Sequence, residues 1–270
     1  MKKAILFILF FLVGTSLSAY DIDISRQNGM GGCVLLTTPT SSDFLNCPVG
    51  FLQKKHLIIE SGYQRKFELS DLDKIFFATG YRLGNFSLTA GVSQFGRNDY
   101  YIEQSMRTAI AYNNNRLAGA IILSGRTLDI TATTGKTSLN ALSVGLAAGV
   151  HCKKYHLAMT IDNINQPTLY DSDEKQNILY HLYGEIEGNG RFSITGRMTL
   201  EKYEKPLIAL GQHIRLAGKH ALFWGISNNP LTYGGGLEVH YHDYGIVYAT
   251  SYHPVLGFTH NVSLNFNKGL

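Results

Sequence analysis

The sequence predicts an all-β chain: a transmembrane, antiparallel up-and-down β-barrel of about 14 strands with an N-terminal segment folded into its lumen as a plug. Three observations predict it. Charged residues make up 16% of the chain, against roughly 25% in soluble domains. Mean hydropathy is nevertheless only -0.04, and beyond the N-terminus no apolar run reaches the ~18 residues a membrane helix needs. From about residue 56 onward, apolar and polar residues alternate with period two. The alternating segments are even in number, and their connections alternate between about six and about two residues, as the outer loops and periplasmic turns of bacterial barrels do.

Taken in order, residues 1–19 read as a secretory signal. Lys2 and Lys3 precede the apolar run Ala4 to Val13, and the small residues Gly14 to Ala19 follow, which places cleavage after Ser18 or Ala19. No cysteine stands there, so the signal is not of the lipoprotein type. Removing the two lysines lowers the formal net charge from +4 to +2, which excludes a simple electrostatic case for nucleic acid. Residues 20–55 carry turn chemistry without steady periodicity: Asn28-Gly29-Met30-Gly31-Gly32, Thr37 to Ser42, and Asn46-Cys47-Pro48-Val49-Gly50. The segment is too polar and broken for a lipid-facing strand, so a place inside the barrel is expected. Cys33 and Cys47 could close a short disulfide loop in an exported chain, or all three cysteines, Cys152 included, are small buried residues.

The barrel is expected over 56–270. Its strands read as 56–67, 73–83, 85–95, 102–113, 117–130, 139–150, 155–163, 177–187, 191–203, 207–217, 220–228, 231–242, 244–253 and 259–267. The clearest places Phe192, Ile194, Met198 and Leu200 on one face and Ser193, Thr195, Arg197, Thr199 and Glu201 on the other. Likewise Leu237, Val239 and Tyr241 alternate with Glu238, His240 and His242. Soluble sandwich strands alternate too; strand count and loop asymmetry favour the barrel. Tyr63, Tyr81, Tyr101, Tyr112, Tyr155, Tyr203, Tyr244, Tyr252 and Phe266 fall near segment ends, where interfacial aromatic girdles lie. The last strand resembles an outer-membrane assembly signal ending on Phe266, although Asn267 to Leu270 run past it.

Three short motifs resemble one family. Gly29-Met30-Gly31-Gly32 followed by Asn46-Cys47-Pro48-Val49-Gly50 is similar to an N-terminal "GMGGA…NPAG" pattern of the FadL-like outer-membrane superfamily, which includes PorV- and PorQ-type proteins. Cys47 interrupts the Asn-Pro step. Asp162-Asn163-Ile164-Asn165-Gln166-Pro167 resembles a mid-barrel element of that group, and Tyr252 to His260 resembles its closing hairpin. The resemblance implies a 14-stranded barrel with the N-terminal segment in the lumen. It also implies one of two roles: passage of small hydrophobic molecules, or an accessory role in type IX secretion. Fold does not choose between them.

Lumen-facing charge is expected at Glu60, Arg82, Arg107, Glu185, Glu187, Arg197, Glu201, Arg215 and Glu238. Mixed signs argue against a simple ion-selective ring and for a self-satisfying interior that holds the plug, since buried charges need partners. Arg107, Arg197 and Arg215 are the alternative ligand-binding candidates. His240 and His242, two apart, would share a face with room for His213 to join them, but no carboxylate spacing supports a metal, and none is expected. Asn28, Gly29, Gly31, Gly32, Asn46 and Pro48 mark the plug. No G-x-S-x-G occurs, and Gly135-Lys136-Thr137 lacks the first glycine of a phosphate loop, because residue 130 is Ile. No catalysis and no cofactor are expected. The reading is a Gram-negative outer-membrane barrel in contact with lipid, with a small hydrophobic ligand or, alternatively, secreted proteins as partners.

Overall fold

In this computed structural model, which describes residues 25–50, 56–96, 101–114, 116–132, 135–168, 175–188, 190–216 and 220–269, fourteen strands close into one barrel. The expected signal at 1–19 lies outside the described residues. The strands are β1 (His56–Arg65), β2 (Asp73–Leu83), β3 (Phe86–Phe95), β4 (Tyr101–Asn113), β5 (Leu117–Ala132), β6 (Gly135–His151) and β7 (Tyr155–Asp162). They continue as β8 (Leu179–Gly188), β9 (Phe192–Glu201), β10 (Leu207–Arg215), β11 (Ala221–Ser227), β12 (Thr232–Tyr241), β13 (Tyr244–His253) and β14 (Gly257–Gly269). Each pairs antiparallel with its sequence neighbours, and β1 closes on β14 with His56 opposite Gly269 and Arg65 opposite His260. Closure leaves no unpaired sheet edge for lipid to meet.

The strands fall where the alternation places them, most ends within a residue or two. The β5–β6 hairpin is longer than the pattern shows, and β14 does not end at Phe266: Asn267 and Lys268 pair with Ile58 and Leu57. The connections keep their asymmetry. Residues 163–178 join β7 to β8 and 66–72 join β1 to β2, whereas residues 84–85 and 242–243 suffice at the other end.

Alternation sorts the side chains across the wall, because a one-residue slip would move every one of them to the opposite face. Outward residues such as Ile110, Ile121, Leu142, Leu157 and Leu264 are 57–65% exposed. Inward residues such as Glu60, Arg107, Glu185, Arg197 and Asn261 are buried. An apolar exterior around a polar interior is stable in hydrocarbon and unstable in water.

Residues 25–50 form two short helices, α1 (Arg26–Gly29) and α2 (Ser41–Asn46), joined by turns. Helices of this length do not persist alone. A capping box starts α2: the Asp43 amide donates to Thr40 Oγ1 at 3.3 Å, and the Thr40 amide donates to Asp43 Oδ2 at 2.8 Å. Nearly all of the segment is buried, against inward residues of strands around the ring. Met30 lies on Gly225, where a Cβ would come within 2.3 Å of the Met30 carbonyl carbon. Gly31 adopts φ +69° with the Ile226 backbone 2.9 Å from its Cβ position, so a side chain there would be both strained and blocked.

Two apolar clusters flank the segment. Met30, Cys33 and Leu35 pack on Phe223, Val247 and Ala249; Val34, Leu36, Cys47 and Val49 pack on Ala109, Ala111, Ala118, Ala120 and Ala147. The cysteines fall in different clusters, which corrects the disulfide alternative: Cys33 and Cys47 are buried thiols and form no bridge. Cys152 is exposed. Burial pushes the Cys47 thiol up to about 12. A water-soluble maleimide at pH 8 is therefore expected to label Cys152 within minutes and to spare Cys33 and Cys47 until the protein is unfolded; mass spectrometry of tryptic peptides reads the pattern.

Candidate functional site

Glu238 on β12 sits where the segment meets the wall. Arg26 of α1 reaches it through Nη1 at 3.4 Å, donates Nη2 to the Thr38 carbonyl at 2.8 Å, and forms a short ion pair with Asp43. Burial disfavours the guanidinium charge, but Asp43 and Glu238 outweigh it and hold the Arg26 pKa above its ordinary value. Gln27 donates to Asp43 Oδ1 at 2.9 Å, and Asn46 donates to Gln27 at 2.7 Å. On the wall side, His240 Nε2 lies 2.7 Å from Glu238 Oε1, Asn265 donates to the same oxygen at 3.4 Å, and His213 Nε2 stands 3.9 Å from Oε2.

Several other inward charges also meet the segment, many of them through its backbone; Arg82 instead donates Nε to the Gly84 carbonyl in the β2–β3 turn at 2.9 Å. Arg107 binds both Asp162 oxygens through Nη2, at 2.9 and 3.1 Å, and donates Nε to the Leu45 carbonyl at 2.7 Å. Arg197 donates Nη1 to the Gly32 carbonyl at 3.1 Å and Nε to Thr199 Oγ1 at 3.0 Å. Glu185 accepts from the Leu36 and Thr37 amides at 2.5 and 2.9 Å. Glu60 accepts from the Ser42 amide at 3.0 Å, and Ser251 donates to Asn28 Oδ1 at 3.0 Å. Gly29, Gly32 and Pro48 are buried and Gly31 half-buried in the same segment.

Other expected residues stand elsewhere. His242 is corrected outright: it occupies the β12–β13 turn at φ 55°, exposed and stacked edge-on against Tyr241, so it shares no face with His240. The strand ends one residue earlier than the alternation indicates, and a turn residue obeys no alternation. Arg215 is at the short-turn rim, 3.7 Å from Glu187. Glu201 is at the opposite rim, where it accepts from Asn177 at 3.1 Å. Among the described residues no three His, Cys, Asp or Glu side chains are placed to hold a metal.

Arg26 and Asp43 are the residues the sequence reading passed over. Both left a signal. Arg26 is the one cation between residues 20 and 53, and Thr40-Ser41-Ser42-Asp43 has the spacing of a capping box.

This arrangement defines a class: a membrane-spanning, closed up-and-down β-barrel with a polar interior. Within that class the fold is similar to the CymD monoaromatic hydrocarbon channel, with a TM-score of 0.66 and 11% identity over 93% of this chain and 99% of that one. It is also similar to the Ralstonia pickettii toluene transporter TbuX, at TM-score 0.64 and 9% identity with the same coverage. The P. putida toluene transporter TodX matches at TM-score 0.60 and 9% identity, again over 93% and 99%. At these identities the likeness is one of fold. No family model matches the chain, and no curated protein sequence matches it. The FadL-like half of the resemblance thus meets similar folds, and the PorV- and PorQ-type half finds no support.

Arg26→Ala would leave Asp43 and Glu238 buried without their shared cation, a loss of about 3–5 kcal/mol. The expected outcome is a lower thermal midpoint with faster maleimide labelling of Cys47, while heat-modifiable gel migration still reports a closed barrel. An unchanged midpoint and a protected Cys47 would show that the pair holds nothing in place.

Proposed function

We propose that this chain is a Gram-negative outer-membrane barrel that passes small hydrophobic compounds, with residues 25–50 as the plug that closes it. The observation that supports this most directly is the division of the interior. Six inward positions on β4 to β7 are alanines, Ala109, Ala111, Ala118, Ala120, Ala147 and Ala158, beside the Arg107–Asp162 ion pair of the same strands. The plug covers them with Val34, Leu36 and Val49. The charges that anchor the plug stand mainly on other strands, at Glu60, Glu185, Arg197 and Glu238.

Withdrawal of the Val34 to Val49 stretch would uncover a smooth apolar wall. An uncharged aromatic or aliphatic molecule could follow those alanines, because Arg107 and Asp162 on the same strands neutralise each other. In this reading Arg107, Arg197, Glu238, His213 and His240 hold the plug, and Arg215 and Glu201 belong to the rims. The substrate class follows the similar folds, which carry monoaromatic hydrocarbons. The secretion-accessory alternative has no support among the similar folds.

Uptake of radiolabelled toluene by cells lacking their own hydrocarbon channels tests the proposal. Expression of the wild type is expected to raise uptake several-fold over vector alone. Ala120→Phe, which fills the apolar wall, should lower that gain by about tenfold, an added barrier of about 1.4 kcal/mol. Uptake equal to vector, with the barrel folded and present in the outer membrane, sinks the proposal.

A further inference from the structure

The exposed charges of the two rims differ. Among the described residues, the long-loop end is balanced, with Lys175, Lys202 and Lys205 against Glu68, Asp71 and Glu204. The short-turn end exposes Arg116, Lys153, Lys154, Arg191 and Lys268 and no fully exposed carboxylate. Two carboxylates there are half-buried: Glu187, 3.7 Å from Arg215, and Asp243 in the β12–β13 turn.

Three of the short turns are locked together through backbone. The His151 amide donates to the Arg116 carbonyl at 2.7 Å, the Glu187 amide to the Lys154 carbonyl at 2.9 Å, and the Arg215 amide to the Arg191 carbonyl at 2.6 Å. The backbone that carries these cations between β4 and β10 is therefore held in an arc, from which the long side chains extend.

Beside this arc, on the outer face of the same strands, runs an apolar groove of about 520 Å³. Its floor is Gly119 opposite Ala148, and its walls include Tyr112, Ile121, Leu146 and Met159. Gly119 lies three residues from Arg116, about 10 Å along the strand at the usual rise. An apolar slot ending in a cluster of cations matches a molecule with a hydrocarbon chain and an anionic head.

We propose that the groove and the Arg116, Lys153 and Lys154 rim bind an anionic glycerophospholipid, its acyl chain over Gly119 and Ala148 and its phosphate at the rim. The short-turn rim then faces the phospholipid leaflet. Aromatic side chains at the interface, Tyr112 and Tyr155, flank the head, and long basic side chains reach the headgroup layer by snorkelling. The inference needs a membrane-spanning barrel and is independent of what the barrel transports.

Native mass spectrometry of the detergent-purified full chain, titrated with phosphatidylglycerol, phosphatidylcholine or lipid A, tests it. Phosphatidylglycerol is expected to be retained about tenfold more than phosphatidylcholine, in line with the attraction of a few basic residues for anionic lipid. The triple variant Arg116→Gln, Lys153→Gln, Lys154→Gln should lose that preference while keeping its heat-modifiable migration. Ala148→Leu, which fills the floor but leaves the rim intact, should weaken retention of both phospholipids. A triple variant that still prefers phosphatidylglycerol would overturn the assignment, as would equal retention of the two phospholipids or a stronger preference for lipid A.

Discussion

The backbone of residues 32–49 is buried with little regular structure to satisfy its amides and carbonyls, and much of the barrel's interior answers that constraint. An unpaired buried backbone group costs about as much as a lost hydrogen bond. The wall therefore supplies donors where the segment presents carbonyls, from Arg197 to Gly32, Thr195 to Val34 and Arg107 to Leu45. It supplies carboxylates where the segment presents amides, from Glu185 to Leu36 and Thr37 and from Glu60 to Ser42. Much of the mixed sign inside the barrel follows from this matching; the rest pairs with side chains, as Glu238 does with Arg26 and Asp162 with Arg107.

The same constraint explains why glycine lines part of the wall. Where the segment offers side chains, small wall residues accept them; where it offers bare backbone, as Met30 does at Gly225, only a wall residue without a Cβ allows the approach. Charge complementarity and close approach thus divide the interior between them. At the alanines of β4 to β7 plain apolar contact suffices, while Arg107 on the same strands meets the Leu45 carbonyl.

Most of the barrel was legible in the sequence because a strand with one face in lipid and one face inside must alternate, and Phe192 to Glu201 shows that pattern without interruption. Where a strand leaves the bilayer, the lipid no longer enforces the pattern. That is why the β5–β6 hairpin was underestimated and why His242 was assigned to a strand when it lies in a turn. The inward charges were legible as a set, but their partners were not. Arg107 meets Leu45 across 62 residues and Arg197 meets Gly32 across 165, separations that no local pattern encodes. Arg26 and Asp43 were missed for the opposite reason: their spacing was visible, but only the enclosed segment gives it meaning.

The seam between β1 and β14 joins the first strand to the last, and the segment bridges it from within. Ser25 bonds to Ser263 of β14 at 2.6 Å, while the Ser42 amide bonds to Glu60 of β1 at 3.0 Å, and Ser263 donates to Glu60 across the seam at 3.2 Å. A segment bonded to both strands of the seam holds the first and last strands in register from the inside, so the ring's closure draws on contacts outside its own ladder.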